Sequence, residues 1–243
     1  MLKLVAFSKK RTIDLQSELD DESNRKKSSN MLFAIAAAND IFEQLKTHDF
    51  LKNTLIDVIF CTGEGELSQT FEFYKNLANG ERTRPLVFQN SLHNSTLGAL
   101  SLAVSHIASG TTLSNGDISF EMALDSALAS TSSNPILIIG TDVYSEKTLE
   151  IKKQNTYHEQ VDLVSGSCAG LFIPTSSPFY DQFIAPAISD IQIKNSKTTH
   201  TDFFPSYYPS NGLELIHEAL KTSSSFSFNR PQNYQIQISA HVE

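Results

Sequence analysis

Residues 91–128, SLHNSTLGALSLAVSHIASGTTLSNGDISFEMALDSAL, decide the fold and frame the question of function. The stretch has the layout of a small-residue strand that runs into the N-terminus of a helix. At such a corner the helix dipole and the unpaired backbone N–H groups would activate a thiol nucleophile. Here the corner spans residues 114–119, SNGDIS, and contains no cysteine. The sequence therefore predicts this strand-to-helix corner without the nucleophile.

The composition is that of an ordinary globular protein. The 243 residues are enough for one good core, and 40% hydrophobic with 19% charged residues is typical of globular domains. The net charge of −8 argues against nucleic acid as a partner, because phosphate contacts need a basic surface. No apolar run approaches ~20 residues, so no membrane span is predicted, and residues 1–7 are too short for a secretion signal. We expect an acidic, cytoplasmic protein with a single domain over residues 1–243.

Alternating strand and helix signals over residues 50–175 predict an α/β layered fold. Residues 9–29 predict an exposed loop or helix edge, and residues 175–183 and 194–212 are rich in turns and loops. We expect Ser68 to cap the helix at 68–79, and Asp117 or Ser119 is available as an N-cap of the helix at 120–129. Apolar periodicity predicts helices at 31–45, 68–79, 95–109, 120–129 and 214–220, and strands at 1–7, 55–61, 111–113, 136–141, 164–173, 188–193 and 234–239.

The two cysteines, Cys61 and Cys168, lie in apolar strand-like segments far apart in the sequence. The segment 165–170, SGSCAG, resembles a nucleophile turn, but residues 171–174 continue as a strand and open no helix that would activate the thiol. No CxxC or HxxxH spacing accompanies the pair, so the sequence predicts neither a metal site nor a cofactor. We interpret both as buried free thiols, with a disulfide between them as the alternative.

Other candidate residues give weaker signals. His93 stands directly before a predicted helix, whereas His106 falls at a helical position where a packing role is favoured. Residues 63–66, GEGE, do not match a phosphate-binding loop, and no GxSxG elbow places a catalytic serine. Three aromatic side chains of one predicted helix either line an apolar pocket or belong to the core: Phe71, Phe73 and Tyr74.

The order and wording of several segments resemble the amino-terminal half of the β-ketoacyl synthases, members of the thiolase-like family. The pattern Phe-x-x-Ser-x-His-Asn-x-x-x-Gly at 88–98 is the most specific part, and the resemblance is clearest at 55–175. It implies an α/β, thiolase-like layered fold (α/β/α), truncated to roughly the N-terminal half. The matching stretches are IFCTGEGE at 59–66, FEFYKNLANG at 71–80, PLVFQNSLHNSTLG at 85–98, TLSNGDISFEMALDSALA at 112–129 and ILIIGTD at 136–142.

Within that family, the chain is most similar to the short ketosynthase-like subunits of aryl polyene biosynthesis, which act as chain length factors. Active ketosynthases carry the acyl chain on a cysteine at the strand-to-helix corner and use two histidines from a second half. Matching 119–120 to the start of the family's helix puts the degenerate nucleophile position at or near Gly116. Neither His93 nor His106 matches a catalytic histidine. The resemblance thus implies a subunit without catalytic residues.

The resemblance also implies a partner, because the family dimerises through the short strand before the nucleophile helix. The partner would be a full-length ketosynthase, and the acyl carrier protein would be engaged indirectly because both it and this chain are acidic. The inactive subunit closes the far end of the acyl tunnel in polyketide-type chain elongation. The interface candidates are Thr111, Thr112 and Leu113, and the tunnel candidates are Phe71, Phe73, Tyr74 and Phe88.

Two other functions stay open at this point. One is a stand-alone acyltransferase or thioesterase that uses Cys168 or a serine. The other is a solitary acyl-binding or scaffold protein that has no ketosynthase partner.

Overall fold

In the computed structural model, which describes residues 1–15, 17, 21–153, 163–195, 211–221, 225–230 and 234–241, the described strands form one eight-stranded sheet. The strands are β1 (Leu2–Arg11), β2 (Ile56–Thr62), β3 (Ile107–Ser114), β4 (Ile136–Asp142), β5 (Gly166–Pro174), β6 (Ala187–Asn195), β7 (Ser225–Arg230) and β8 (Tyr234–His241). The α-helices are α1 (Ser29–Gln44), α2 (Leu67–Ala78), α3 (Pro85–Asn90), α4 (Ser95–Ala103), α5 (Ser119–Ala129), α6 (Glu146–Lys153) and α7 (Gly212–Leu220).

The strand order across the sheet is β3-β2-β4-β5-β1-β6-β8-β7, with β3 at one edge. β2 pairs in parallel with both β3 and β4, and every other pairing in the described sheet is antiparallel. Because the three strands at this end run in parallel, their carboxyl ends meet at the same edge of the sheet. The connections that leave these ends carry the candidate site.

Helices cover both faces of the sheet, and β4 illustrates why its sequence is continuously apolar. Ile136 and Ile138 pack in the core that α5 and α7 share, whereas Leu137 and Ile139 pack in the core beneath α1 and α4. Every residue of β4 is therefore buried, as is usual for a strand with helices on both sides. This arrangement confirms the predicted α/β/α layered fold.

The predicted helix at 95–109 and the predicted short strand at 111–113 are both wrong in extent. α4 ends at Ala103, and β3 is an eight-residue strand that begins at Ile107. Residues that fit the helical pattern form backbone hydrogen bonds with β2 and therefore belong to a strand. Tertiary pairing thus overrides the local periodicity. The turn between the two elements holds His106 at φ +69°, an exposed position, and so the packing role predicted for this histidine is wrong.

Three further predictions are wrong, and three helices or strands of the structure have no predicted counterpart. β1 continues to Arg11, inside the predicted loop 9–29, because its last residues pair with β5. α2 begins at Leu67 without a side-chain cap, so Ser68 does not cap it, and α5 likewise has Ile118 at its N-cap position, without a capping side chain from Asp117 or Ser119. The elements without a predicted counterpart are α3, α6 and β7.

The remaining predicted elements agree with the structure to within a few residues. Residues 196–210, most of the predicted loop at 194–212, lie outside the described residues. Within the described part of the chain, no helix combines the length and the apolar character needed to cross a membrane.

Candidate functional site

The corner between β3 and α5 is a tight turn without a reactive group. Gly116 adopts φ +55°, in the left-handed region that glycine tolerates, and opens a short 3₁₀ turn before α5. The fully buried hydroxyl of Ser119 accepts from the backbone N–H of Asn115 at 2.8 Å. Its proton is shared between the carbonyl oxygens of Gly116 (2.7 Å) and Thr62 (2.9 Å). Ser119 therefore fastens the corner to the end of β2.

Asp142, the last residue of β4, organises the turn that follows β2. Its Oδ1 accepts hydrogen bonds from Thr62 Oγ1 (2.9 Å) and from the backbone N–H groups of Gly63 (2.9 Å) and Glu64 (3.0 Å). Thr62 Oγ1 in turn accepts from the N–H of Gly65 at 2.8 Å. Hydrogen bonds to a buried carboxylate are among the stronger ones in proteins, so this residue fixes the geometry of the acidic turn.

Glu66 is a buried carboxyl that joins three elements. Only 4% of its surface is exposed, and its Oε1 accepts from Ser28 Oγ at 2.7 Å and from Thr96 Oγ1 at 2.6 Å. Ser28 also caps α1 by accepting from the N–H of Met31, and Thr96 lies on α4. Burial raises the pKa of Glu66 to about 7, although the two hydroxyl donors oppose the rise. No pattern in the sequence indicates the role of this residue.

A polar cavity of about 330 Å³ lies beside Glu66, at the N-terminal ends of α1 and α2. Tyr144 lines it from the segment after β4, and its buried hydroxyl has no hydrogen-bond partner among the described residues. Burial raises the pKa of Tyr144 well above its ordinary value, and the nearby carboxylates of Asp142, Glu64 and Asp117 raise it further. The phenol therefore stays protonated at neutral pH. The described lining offers hydroxyl, amide, carboxyl and ammonium groups but no thiol.

The structure brings together three of the four tunnel candidates. The ring of Phe73 lies 5.6 Å from that of Tyr74 and 5.4 Å from that of Phe88, between α2 and α3, and both of these neighbours are exposed. Phe71 lies apart from them, in the lining of the polar cavity, with Lys147 Nζ 5.1 Å from its ring centroid. The tunnel role of all four stays a prediction.

The interface candidates Thr111, Thr112 and Leu113 lie on β3, the edge strand. Their strand pairs with β2 on one side, and in the described sheet its other side carries no partner. Residues 108–111 are exposed, and a groove of about 390 Å³ runs between the strand and the C-terminal end of α5. The interface role stays a prediction, and the structure places these residues where a second chain could reach them.

Both cysteines are fully buried thiols outside any disulfide, as predicted. Cys61 of β2 and Cys168 of β5 share the neighbour Gly140 on β4, so two strand spacings, about 9–10 Å, separate their backbones. A disulfide cannot span that distance, which rules out the alternative interpretation.

His93 is exposed and its ring lies against Gly65, where an added Cβ would come within 2.2 Å of the ring atom Nδ1. No group of three or more His, Cys, Asp and Glu side chains in the described residues is arranged to hold a metal ion.

Comparison with known proteins identifies the kind of domain. A family model described as the N-terminal domain of β-ketoacyl synthase matches residues 26–233. None of the curated proteins compared with the chain matches it significantly.

Solved structures of three assemblies contain chains of similar fold. The complex of a ketosynthase (ApeO) with its chain length factor (ApeC) from Xenorhabdus doucetiae matches with a TM-score of 0.64 and 17% identity, over 98% of this chain and 98% of that chain. The ishigamide ketosynthase/chain length factor gives 0.62 and 16%, over 76% of this chain and 53% of that chain. The AntDE:AntF complex of a type II polyketide synthase acyl-carrier protein with its ketosynthase gives 0.71 and 9%, over 100% and 99%. At these identities the likeness shows the fold.

Proposed function

Since the chain belongs to the β-ketoacyl synthase family through that N-terminal domain, we propose that it is a non-catalytic chain length factor. It pairs with a full-length ketosynthase, which performs the decarboxylative condensation of carrier-protein-bound chains. This chain contributes the interface, part of the tunnel wall and stability, and it takes no covalent step. The finer assignment is to aryl polyene synthesis in the cytoplasm, with the carrier protein engaged through the ketosynthase.

The observation that carries the proposal is the strand-to-helix corner. Gly116 has no side chain with which to hold an acyl group. The Ser119 hydroxyl is engaged by the backbone, because it accepts from the N–H of Asn115 and donates to the carbonyls of Gly116 and of Thr62 on β2. A strand-to-helix corner without a thiol supports a subunit that has lost catalysis but kept assembly.

The burial of the thiols weighs against the stand-alone acyltransferase or thioesterase. Cys168 lies in the middle of β5, with both faces of that strand covered, and Cys61 is equally buried on β2. An acyl donor would have to open the core to reach either sulfur. No helix N-terminus follows Cys168 to stabilise a thiolate, because β5 continues to Pro174.

The exposed edge of β3 supports pairing with another chain. A long, exposed edge strand is a template for association unless charge, a bulge or a covering element protects it. The central residues of β3, SGTT at 109–112, carry no charge. The exposed rings of Tyr74 and Phe88 also fit a surface that a partner subunit covers to complete a tunnel.

The proposal is tested by co-expressing the chain with the ketosynthase of its own gene cluster and purifying through a tag on one of them. We expect the two to co-elute in size-exclusion chromatography and condensation activity to require both. Separate elution, or full activity from the ketosynthase alone, would reject the proposal. Acyl transfer or thioester hydrolysis by this chain alone would favour the acyltransferase or thioesterase alternative.

A further inference from the structure

A groove of about 830 Å³ lies between α1, α3 and α4, away from the β3 edge's own groove. Its floor is one face of α4, where Ser95, Gly98 and Ala99 follow one another at helical spacing, and Leu102 continues this row to the rim. A Cβ added to Gly98 would meet nothing within 4 Å, so the floor is open at this residue. Small side chains on the floor let the backbone of an incoming element approach closely.

Exposed leucines stand at several borders of the groove. Leu102 is 92% exposed, and Leu86 and Leu92 are exposed at the other borders. Single exposed leucines are normal on a protein surface, but several around one concave surface mark a site of association. Asn90 of α3 donates to the backbone carbonyl of Lys26, which ties α3 to the segment before α1 and holds the groove in shape.

The charge of the groove differs from that of the whole chain. The chain carries 27 acidic and 19 basic residues, yet the described residues that line the groove include Lys26 and Lys27 and no carboxylate. Both lysines are exposed at one end of the groove. The occupant with the complementary chemistry is therefore an apolar segment flanked by at least one carboxylate.

The groove lies next to the edge through which the proposed heterodimer pairs, because the helix that forms its floor also packs on β3. α4 packs directly on β3, where a Cβ on Gly110 would lie 3.1 Å from Cδ1 of Leu97. A subunit that covers the β3 edge can therefore also insert an element into this groove, and the proposed subunit at that edge is the ketosynthase.

We infer that this groove receives an apolar, acid-flanked element of the partner ketosynthase, as a second contact beside the β3 edge. The inference rests on the proposed function, because it takes the ketosynthase as partner. The element places apolar side chains over Gly98 and against Leu102, and a carboxylate beside Lys26 and Lys27. Binding therefore depends on α4 as well as on β3.

The test compares affinities for the full-length ketosynthase. Leu102→Asp puts a charge on the rim, Gly98→Phe fills the open floor, and Lys26→Glu reverses the charge at one end. The matched control is Ile184→Asp, which makes the same change at an aliphatic residue that is 91% exposed and does not line the groove. We expect the first two variants to weaken binding at least about tenfold, Lys26→Glu about threefold or more, and the control less than about twofold.

Unfolding curves of the isolated variants confirm that each is folded before its affinity is read. If the wild-type chain binds the ketosynthase and Leu102→Asp and Gly98→Phe bind as tightly, this inference is wrong and the proposed function stands. If the wild-type chain does not bind, both are wrong. If the isolated chain dimerises and Leu102→Asp breaks only that dimer, the occupant is a second copy and the inference is overturned.

Discussion

Replacing Glu66 with glutamine should make the stability of the protein less dependent on pH. The buried carboxyl has its pKa raised from the ordinary 4.5 to about 7, so between these values the folded state keeps a proton that the unfolded state releases. Stability from this group is fully present below pH 4.5, declines as the pH rises, and is lost once the pH passes through the folded value. The difference between 4.5 and about 7 corresponds to about 3 kcal/mol.

Glutamine keeps an oxygen that can accept from Ser28 and Thr96, but it cannot ionise. We therefore expect Glu66→Gln to match the wild type near about pH 4 and to exceed its free energy of unfolding by about 2–3 kcal/mol near about pH 8.5. Urea titrations followed by circular dichroism at several pH values measure this difference. The control is Glu72→Gln, an exposed carboxyl at the same cavity. If the free energies of unfolding of Glu66→Gln and wild type differed by the same amount at every pH, Glu66 would not be the source of the pH dependence.

Three other predictions concern the sheet and its carboxyl ends. Asp142→Ala removes the acceptor of three hydrogen bonds, and we expect a loss of about 3 kcal/mol or more in urea unfolding, with Asp142→Asn losing less. Gly170→Ala places a Cβ 2.9 Å from side-chain carbons of Leu213 and Leu4 and should cost about 1–3 kcal/mol in the same assay; an unchanged midpoint would show that the core yields freely. The double change Cys61→Ala with Cys168→Ala should leave condensation by the complex intact, and loss of activity in a folded double variant would implicate a thiol.

The layered fold could be predicted because its signals are local. The apolar run at 136–141 and the small-residue run at 164–173 are each long enough to specify a strand covered on both faces. The corner at 114–119 was found because a strand, a glycine and a helical pattern follow one another directly. Its lack of cysteine could be read from the sequence alone.

The misses have a common physical cause, which is that they depend on contacts distant in sequence. Residues 107–109 fit a helical pattern, and they form part of a strand only because β3 pairs with β2. Ser119 looks like a helix cap, but the carbonyl of Thr62, 57 positions away, takes part of its hydrogen bonding. Glu66 becomes a buried junction only because Ser28 and Thr96 converge on it. A periodic pattern in the sequence does not indicate contacts between residues that are so far apart along the chain.

The central claim is that this chain assembles with a ketosynthase and takes no part in covalent chemistry. The most direct test is intact-mass analysis of both chains after the co-purified complex has reacted with an acyl-loaded carrier protein. We expect the two chains to be present in equal amounts, with the acyl adduct on the ketosynthase and an unmodified mass for this chain. An adduct on this chain, or a preparation without the ketosynthase, would contradict it.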